Sequence, residues 1–244
     1  MERILQKNLF NPMLSIIIIT YNEEKYLPKL LHSIKNQSFR DYEVIVADAK
    51  STDKTREIAR KFGCRIINGG MPSAGRNNGA KAAKGNTLFF FDADSILPND
   101  FLMDSLDEIN ERGIDVAGVT LKPLGDNIMD KFLLFIFNSW SFLTQLLYPH
   151  ATGSGIFCRK WLHDKVKGFD EKLVLGEDMD YVKRCSKLGK FRILKKPKLY
   201  FSMRRYEKEG RLKTGLKILI SEFYRILFGE IKSDLFKYKL KYKK

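Results

Sequence analysis

The strongest constraint on what this chain can fold into is a rhythm in its first half. Short apolar runs end in polar or acidic groups and are separated by segments with helical spacing. Leu14-Ser15-Ile16-Ile17-Ile18-Ile19 is β-branched and nearly uninterrupted, as a strand covered on both faces must be, and it stops at Thr20-Tyr21-Asn22-Glu23-Glu24. Leu27, Leu30, Leu31 and Ile34 then recur at helical spacing, with Pro28 tolerable in a first turn, until the pattern fades at Asn36-Gln37. Tyr42 to Ala47 reads as a second strand ending in Asp48, and Ser51-Thr52-Asp53 stands where it would cap a helix from Lys54 to Phe62. Cys64-Arg65-Ile66-Ile67 reads as a short third strand. Gly69 to Gly79 reads as a loop entering an Ala-rich helix, with the Leu88 to Phe91 strand after it. Strands and helices alternating in this way predict an α/β chain with a mostly parallel, Rossmann-like sheet and helices on both faces. Ligands of such sheets bind beyond the carboxyl ends of the strands, where Asn22, Asp48, Asp92 and Asp94 all fall. Neither a Gly-x-Gly-x-x-Gly after the first strand nor a Walker-type loop is present, which argues against dinucleotide and P-loop binding.

The run Leu88-Phe89-Phe90-Phe91-Asp92-Ala93-Asp94 carries the first chemistry. Strand side chains repeat every two residues, so Asp92 and Asp94 are expected on one side as the strand stops. Two hard oxygen donors at a sheet edge suit Mg²⁺ or Mn²⁺ holding a diphosphate, because these ions take part of their shell from phosphates. The bland alternative for Asp-x-Asp is a pair of turn aspartates bonded to local backbone. At 244 residues and 44% hydrophobic content the chain can build a sizeable core without staples. Its three cysteines, Cys64, Cys158 and Cys185, form no metal-ligand spacing and fit a reducing setting. Lysine and arginine number 44 against 29 acidic residues, a net charge of +15 that favours an anionic partner: nucleic acid, a phosphate-bearing substrate or an acidic membrane. Met1 to Lys7 lacks the apolar core of a signal peptide, so a cytoplasmic chain is expected.

Thr20-Tyr21-Asn22-Glu23, Ala47-Asp48 with Ser51-Thr52-Asp53, Gly75-Arg76-Asn77-Asn78-Gly79 and Phe91-Asp92-Ala93-Asp94 resemble, in order and spacing, the nucleotide-binding half of family 2 glycosyltransferases with the GT-A fold. Gly153-Ser154-Gly155, Gly168-Phe169-Asp170-Glu171 and Gly176-Glu177-Asp178 resemble the acceptor-side strand, turn and catalytic motif of that family. The resemblance spans about residues 14 to 190. It implies an inverting enzyme that uses a UDP- or GDP-sugar. In it Tyr21, Asn22 and Glu23 form a loop against the base, and Asp48 contacts base or ribose. Arg76 lies near the diphosphate, Asp92 faces the sugar or ribose, and Asp94, with Asp92, holds Mn²⁺ or Mg²⁺. Asp178 is the general base, and Glu177 orients it or raises its basicity. Each position keeps a structural alternative: Asp48 can cap the helix that follows, Arg76 can be a surface cation, and Glu177-Asp178 can simply favour a helix dipole.

Ala49, Lys50 and Ser95 depart from the pattern, which blurs the donor base, and the Gln-x-x-Arg-Trp element of processive synthases is missing. Single-sugar transfer is therefore expected. Gly153, Ser154, Arg204 and Arg205 are candidate contacts to phosphate or acceptor, with a solvated basic turn as the other reading of the two arginines. Phe132 to Tyr148 is uncharged and aromatic-rich; a crossing there would separate Asp94 from Asp178, so it reads as a helix that is either core or interfacial. Leu212 to Leu235 reads as a basic amphipathic helix suited to anionic lipid, or else packed on the catalytic domain ahead of a basic tail. The expected organisation is a catalytic domain over 1–205, divided into a donor half (12–110) and an acceptor half (111–205), and an amphipathic helical extension over 206–244. The expected protein is peripheral at the inner face of the membrane, with a sugar, lipid-phosphate or glycolipid acceptor and no nucleic acid. Two other functions compete: a sugar-1-phosphate nucleotidyltransferase, and an inactive basic binding module.

Overall fold

A computed structural model describes residues 13–173 and 175–228. Strands β1 (Leu14–Thr20), β2 (Tyr42–Asp48), β3 (Arg65–Asn68) and β4 (Thr87–Asp92) run parallel, joined by α1 (Leu27–Lys35), α2 (Thr55–Lys61) and α3 (Pro72–Ala82). After α4 (Phe101–Glu111) come β5 (Val116–Pro123), α5 (Ile128–Thr144), β6 (Ile156–Arg159), α6 (Lys160–Lys165), α7 (Glu177–Ser186), β7 (Phe191–Phe201), α8 (Arg204–Glu209) and α9 (Arg211–Phe228). All seven strands form one sheet in the order β3-β2-β1-β4-β6-β5-β7, so the two halves share a continuous framework.

Period-two patterning divides β4 between two cores. Phe89 and Phe91 join Leu27, Leu30, Leu31 and Ile34 of α1 on one side, while Leu88 and Phe90 join Phe169 and Tyr181 on the other. Phe89 stacks on Phe157 at 3.5 Å between ring centroids, and Phe90 meets the Phe169 ring edge-on at 5.1 Å. Each such buried side chain contributes about 1.5–3 kcal/mol of transfer free energy.

Register then places the chemistry. Thr20 pairs with Asp48 and Ile19 with Asp92, so the carboxyl ends of β1, β2 and β4 lie together. β6 runs antiparallel to β4, which returns the chain from the opposite direction: Ile156 pairs with Phe90, and the Gly155 N–H bonds the Phe90 carbonyl at 2.9 Å. Gly153 and Ser154 are thereby delivered to the Asp92 edge.

Two local expectations need correction. The glycine-rich stretch is not a loop through Gly79: Pro72 opens α3 within its first turn, and Gly75 and Gly79 lie inside the helix. A Cβ on Gly79 would overlap Ile17 and one on Gly75 would come within 3.0 Å of Ile19, so these glycines let α3 approach β1. Asp94 does not share the pleat of β4, which ends at Asp92; it lies in the turn beyond. Phe132 to Tyr148, read as either core or interfacial, is mostly outward-facing, with only Leu134 and the partly buried Phe137 reaching the core. Asn127 caps α5, accepting from the Met129 and Asp130 N–H groups, and Asn138 clasps both backbone groups of Leu121 at 2.8 and 2.9 Å. These contacts turn the polar side of α5 inward and leave Phe135, Leu143 and Leu147 exposed by 67, 79 and 93%. The tail expected beyond residue 228 lies outside the described residues.

Candidate active site

Arg76 joins the two halves. It leaves α3 almost fully buried, donates from Nη2 to Asp92 Oδ1 at 3.1 Å and from Nη1 to Glu177 Oε1 at 3.0 Å, and lies over the Phe169 ring. A guanidinium fork suits this, because one planar cation can serve two carboxylates whose charges would otherwise repel in a dry place. Its Nε is buried and has no hydrogen-bond partner among the described residues. Gly153 packs against the fork so closely that a Cβ there would overlap Nη2. The neighbouring Asn77 bonds both backbone groups of Phe169 at 2.8 and 2.9 Å, and it also reaches Glu171, locking the Gly168 to Glu171 turn onto α3.

Asp178 stands in the first turn of α7, entered through Gly176 at φ 78°, with Glu177 and Asp180 beside it at the favourable end of the helix dipole. Its Oδ2 accepts the Gly153 N–H at 2.6 Å, and Oδ1 accepts the Met179 N–H at 2.9 Å. The carboxylate is thus fixed in orientation while remaining partly exposed. Burial and then the Asp178 charge push the Glu177 carboxyl upward, against the pull of Arg76. Asp92 is likewise raised, first by burial and also by Asp178, with Arg76 opposing. Residues 86 positions apart therefore feel one another electrostatically across the cleft (178 − 92). Glu177 engages Arg76 rather than Asp178, so its direct structural link is to the donor side.

A second cluster closes the rim. Arg204 of α8 places Nε 2.6 Å from Asp94 Oδ2 and both Nη atoms 2.8 Å from the Glu23 carboxylate, above the Tyr26 ring. Burial raises the Asp94 carboxyl to about 6 despite the Arg204 charge. Arg204, expected to contact phosphate, thus pairs with both Asp94 and Glu23, the latter expected to contact the base. Arg205 lies on the cleft wall, 3.5 Å from Glu209.

Other expected ligand contacts occupy structural positions. Asp48 is buried and accepts from Thr20 Oγ1, the Ser51 hydroxyl and N–H, and Arg56, at 2.6–3.1 Å. Those bonds use the carboxylate to shape the following turn, and it does not line the cleft. Ser154 is wholly buried in this structure: it bonds Ser95 Oγ at 2.6 Å and accepts the Asp92 N–H at 3.4 Å, so it braces the Asp92-to-Asp94 turn. Asn22, at φ 53°, accepts from the Thr52 N–H at 2.8 Å and donates its own N–H to Ser51, tying two loops at the cleft mouth; Tyr21 is partly buried beside it.

Sequence reasoning gave no place in the site to Tyr26, Thr52, Asp53 or Ser95. The first three line the cleft and Ser95 holds its floor. Thr52 and Asp53 lie within a recognised motif but were read as a helix cap, and nothing in the pattern marked Tyr26. The cleft runs from the β1 end past Asp92, Asp94 and Asp178 to α8 and α9, so residues between Tyr206 and Arg225 help to form its wall.

The arrangement can hold an anionic ligand between cations, coordinate an ion through carboxylates and accept a proton at Asp178. Comparisons with known proteins agree with that range. The family model described as Glycosyl transferase family 2 matches residues 15–166. Poly(ribitol-phosphate) beta-N-acetylglucosaminyltransferase TarS of Staphylococcus aureus is 26% identical over 225 residues, covering 87% of this chain but 39% of TarS, so the chain spans well under half of that relative. Its crystal structure in complex with UDP superposes with a TM-score of 0.61 at 26% identity, over 78% of this chain and 60% of that one. A Methanococcus voltae dolichyl N-acetyl-alpha-D-glucosaminyl phosphate 3-beta-D-2,3-diacetamido-2,3-dideoxy-beta-D-glucuronosyltransferase is 26% identical over 85% of this chain and 71% of its own length. For the fold alone, the mannosyltransferase PcManGT of Pyrobaculum calidifontis, solved with GDP-Man and Mn²⁺, gives a TM-score of 0.64 at 18% identity, over 82% and 61% of the two chains. With its family pattern matched over most of its length and its sheet shared with GT-A enzymes, the chain belongs to glycosyl transferase family 2.

Proposed function

We propose that this protein transfers a single sugar, with inversion, from a UDP- or GDP-sugar to an acceptor hydroxyl or phosphate at a membrane surface. The observation that carries the reading is the Asp92–Arg76–Glu177 bridge with Asp178 beside it, which joins a donor-side carboxylate to a base on the acceptor side. Asp178, held by the Gly153 N–H, takes the proton from the attacking hydroxyl, and a single base with in-line attack inverts the anomeric centre. Arg76 holds charge in place beside the leaving diphosphate.

Asp94 and Asp92 would hold Mn²⁺ or Mg²⁺. Both are hard oxygen donors, and among the described residues no set of three or more metal-binding side chains converges, so a bound ion would share its shell with the diphosphate. When bound, the ion supplies Lewis-acid stabilisation of the departing nucleotide. The relative named for a dolichyl-linked acceptor supports a lipid-linked substrate, and the exposed apolar side of α5 supports work at a lipid surface. None of the described helices is long and apolar enough to cross a membrane, which suits docking rather than spanning.

A thermal-shift panel of UDP- and GDP-sugars, with and without Mn²⁺, tests the reading. Metal-dependent stabilisation by a nucleotide-sugar, lost in Asp94→Ala, is the expected result; no response to any member of the panel overturns it.

A further inference from the structure

α9 is amphipathic in the reverse sense. Leu212, Leu216, Leu219 and Ile220 are 49–69% exposed, Leu216 and Ile220 where the cleft opens to solvent, whereas Thr214, Ser221 and Arg225 are buried where the helix lines it. Spacings of seven and eleven residues put these three on one stripe of the helix. A helix in water with that polarity is upside down, and α5 is similar: Asp130 and Ser141 are inward and, apart from Leu134 and Phe137, which reach the core, its large apolar residues Phe132, Phe135, Phe142 and Leu143 are outward. The two helices touch: Gly215 of α9 faces Leu133 of α5, and Arg211 grips Asp130 through two bonds of 2.8 and 3.1 Å. Both apolar sides therefore belong to one surface, and the medium that suits it is the edge of a bilayer.

The inward stripe needs its own explanation. Thr214 Oγ1 is buried without a partner among the described residues, a costly state for a hydroxyl unless something bonds to it. At the other end, the Arg225 guanidinium contacts the Met179 thioether and lies so near Gly176 that a Cβ there would come within 3.0 Å of it. Gly176 and Met179 flank Glu177 and Asp178, so Arg225 brings a cation to the turn that carries the base. Eleven residues of helix separate Thr214 from Arg225, about 16 Å of polar trough between a lipid-facing helix and the catalytic turn.

We infer that α9 forms the acceptor subsite: Arg225 holds the phosphate of a lipid phosphate or lipid diphosphate acceptor, while the apolar chain stays in the membrane against the outer sides of α5 and α9. This rests on the glycosyltransferase reading and adds the acceptor class and the residue that selects it. A guanidinium is matched to phosphate oxygens, and its contribution rises where water is excluded.

The test compares binding of the full chain to phosphatidylcholine vesicles carrying a polyprenyl phosphate, the corresponding polyprenol, or phosphatidylglycerol at equal charge, read by flotation. The expected result is about tenfold tighter binding to the polyprenyl phosphate vesicles than to either control, as one charge-assisted hydrogen bond implies. Arg225→Gln removes that preference without changing binding to polyprenol vesicles, and Arg225→Lys retains part of it, which a merely structural arginine would not do. Equal binding to all three vesicles by the wild type overturns the inference. So does an unchanged preference in Arg225→Gln, or a protein that dimerises through this surface and ignores vesicles. Should Arg225→Gln fail to fold, the wild-type head-group preference and its weakening in Arg225→Lys still decide. The nucleotide-sugar panel is independent of these outcomes: a chain that selects the lipid phosphate yet binds no donor refutes the enzymatic reading and leaves the subsite standing.

Discussion

The α1 helix and the α5–α9 pair obey the same spacing rule with opposite results. In α1 the apolar stripe Leu27, Leu30, Leu31 and Ile34 is buried against the sheet, whereas in α5 and α9 comparable stripes face outward and the polar residues turn in. Periodicity identifies a helix and its apolar side; it does not say which medium that side will meet. Around α1 the medium is protein, supplied by Phe89 and Phe91. Around α5 and α9 nothing among the described residues covers it, and the inward side is instead claimed by hydrogen bonds from Asn138, Arg211 and Ser141.

If the two regions divide donor binding from acceptor activation, Asp178→Asn gives the largest effect. Transfer should fall about 10²–10⁴-fold while nucleotide-sugar stabilisation persists, and wild-type turnover in a coupled assay would remove Asp178 from the mechanism. Arg76→Ala attacks the bridge between the regions. Leaving Asp92 and Glu177 buried without their cation should cost about 3–5 kcal/mol in urea unfolding, and a loss near zero would mean that the halves do not depend on this contact.

Leu30→Ala should cost about 2–5 kcal/mol, as expected for a fully buried leucine. A pH effect follows from His163, which is buried beside the Tyr181 hydroxyl and whose ring burial pushes down to about 4. The unfolded chain takes up that proton near 6.5 and the folded one does not until about 4, so stability is full above 6.5 and falls as pH drops through that window. The loss is about 3 kcal/mol at most, and His163→Gln should flatten it in melts taken between these pH values. Smallest is Leu143→Ala on the outward side of α5. It should change stability by no more than about 0.5 kcal/mol yet weaken binding to lipid vesicles, and a Leu30-sized loss would show that this side is core after all.

Much of the donor half was legible. The β1, β2 and β4 runs are near-continuous and apolar, and only a parallel sheet covered on both sides accommodates them, so the strand-end positions of Asn22, Asp48 and Asp92 followed directly. The glycines of α3 misled because glycine marks loops by local propensity, whereas here Gly75 and Gly79 serve contact with β1. Asp48 shows a different limit of the sequence. Its carboxylate is at a strand end as expected, but Ser51 and Arg56 saturate it, and which neighbours a strand end meets depends on how the loop folds back.

By itself the sequence determined the sheet, the order of its donor-half elements and the family motifs, since these rest on local spacing and on burial that any apolar run demands. Tertiary structure alone decided the partnerships: Arg76 with Glu177, 101 positions away, Arg204 with Glu23, 181 away, and the outward turn of α5 and α9. Such pairings form where chain segments remote in sequence are driven together by the core. A charge then finds its counter-ion by proximity in space, which no one-dimensional pattern encodes.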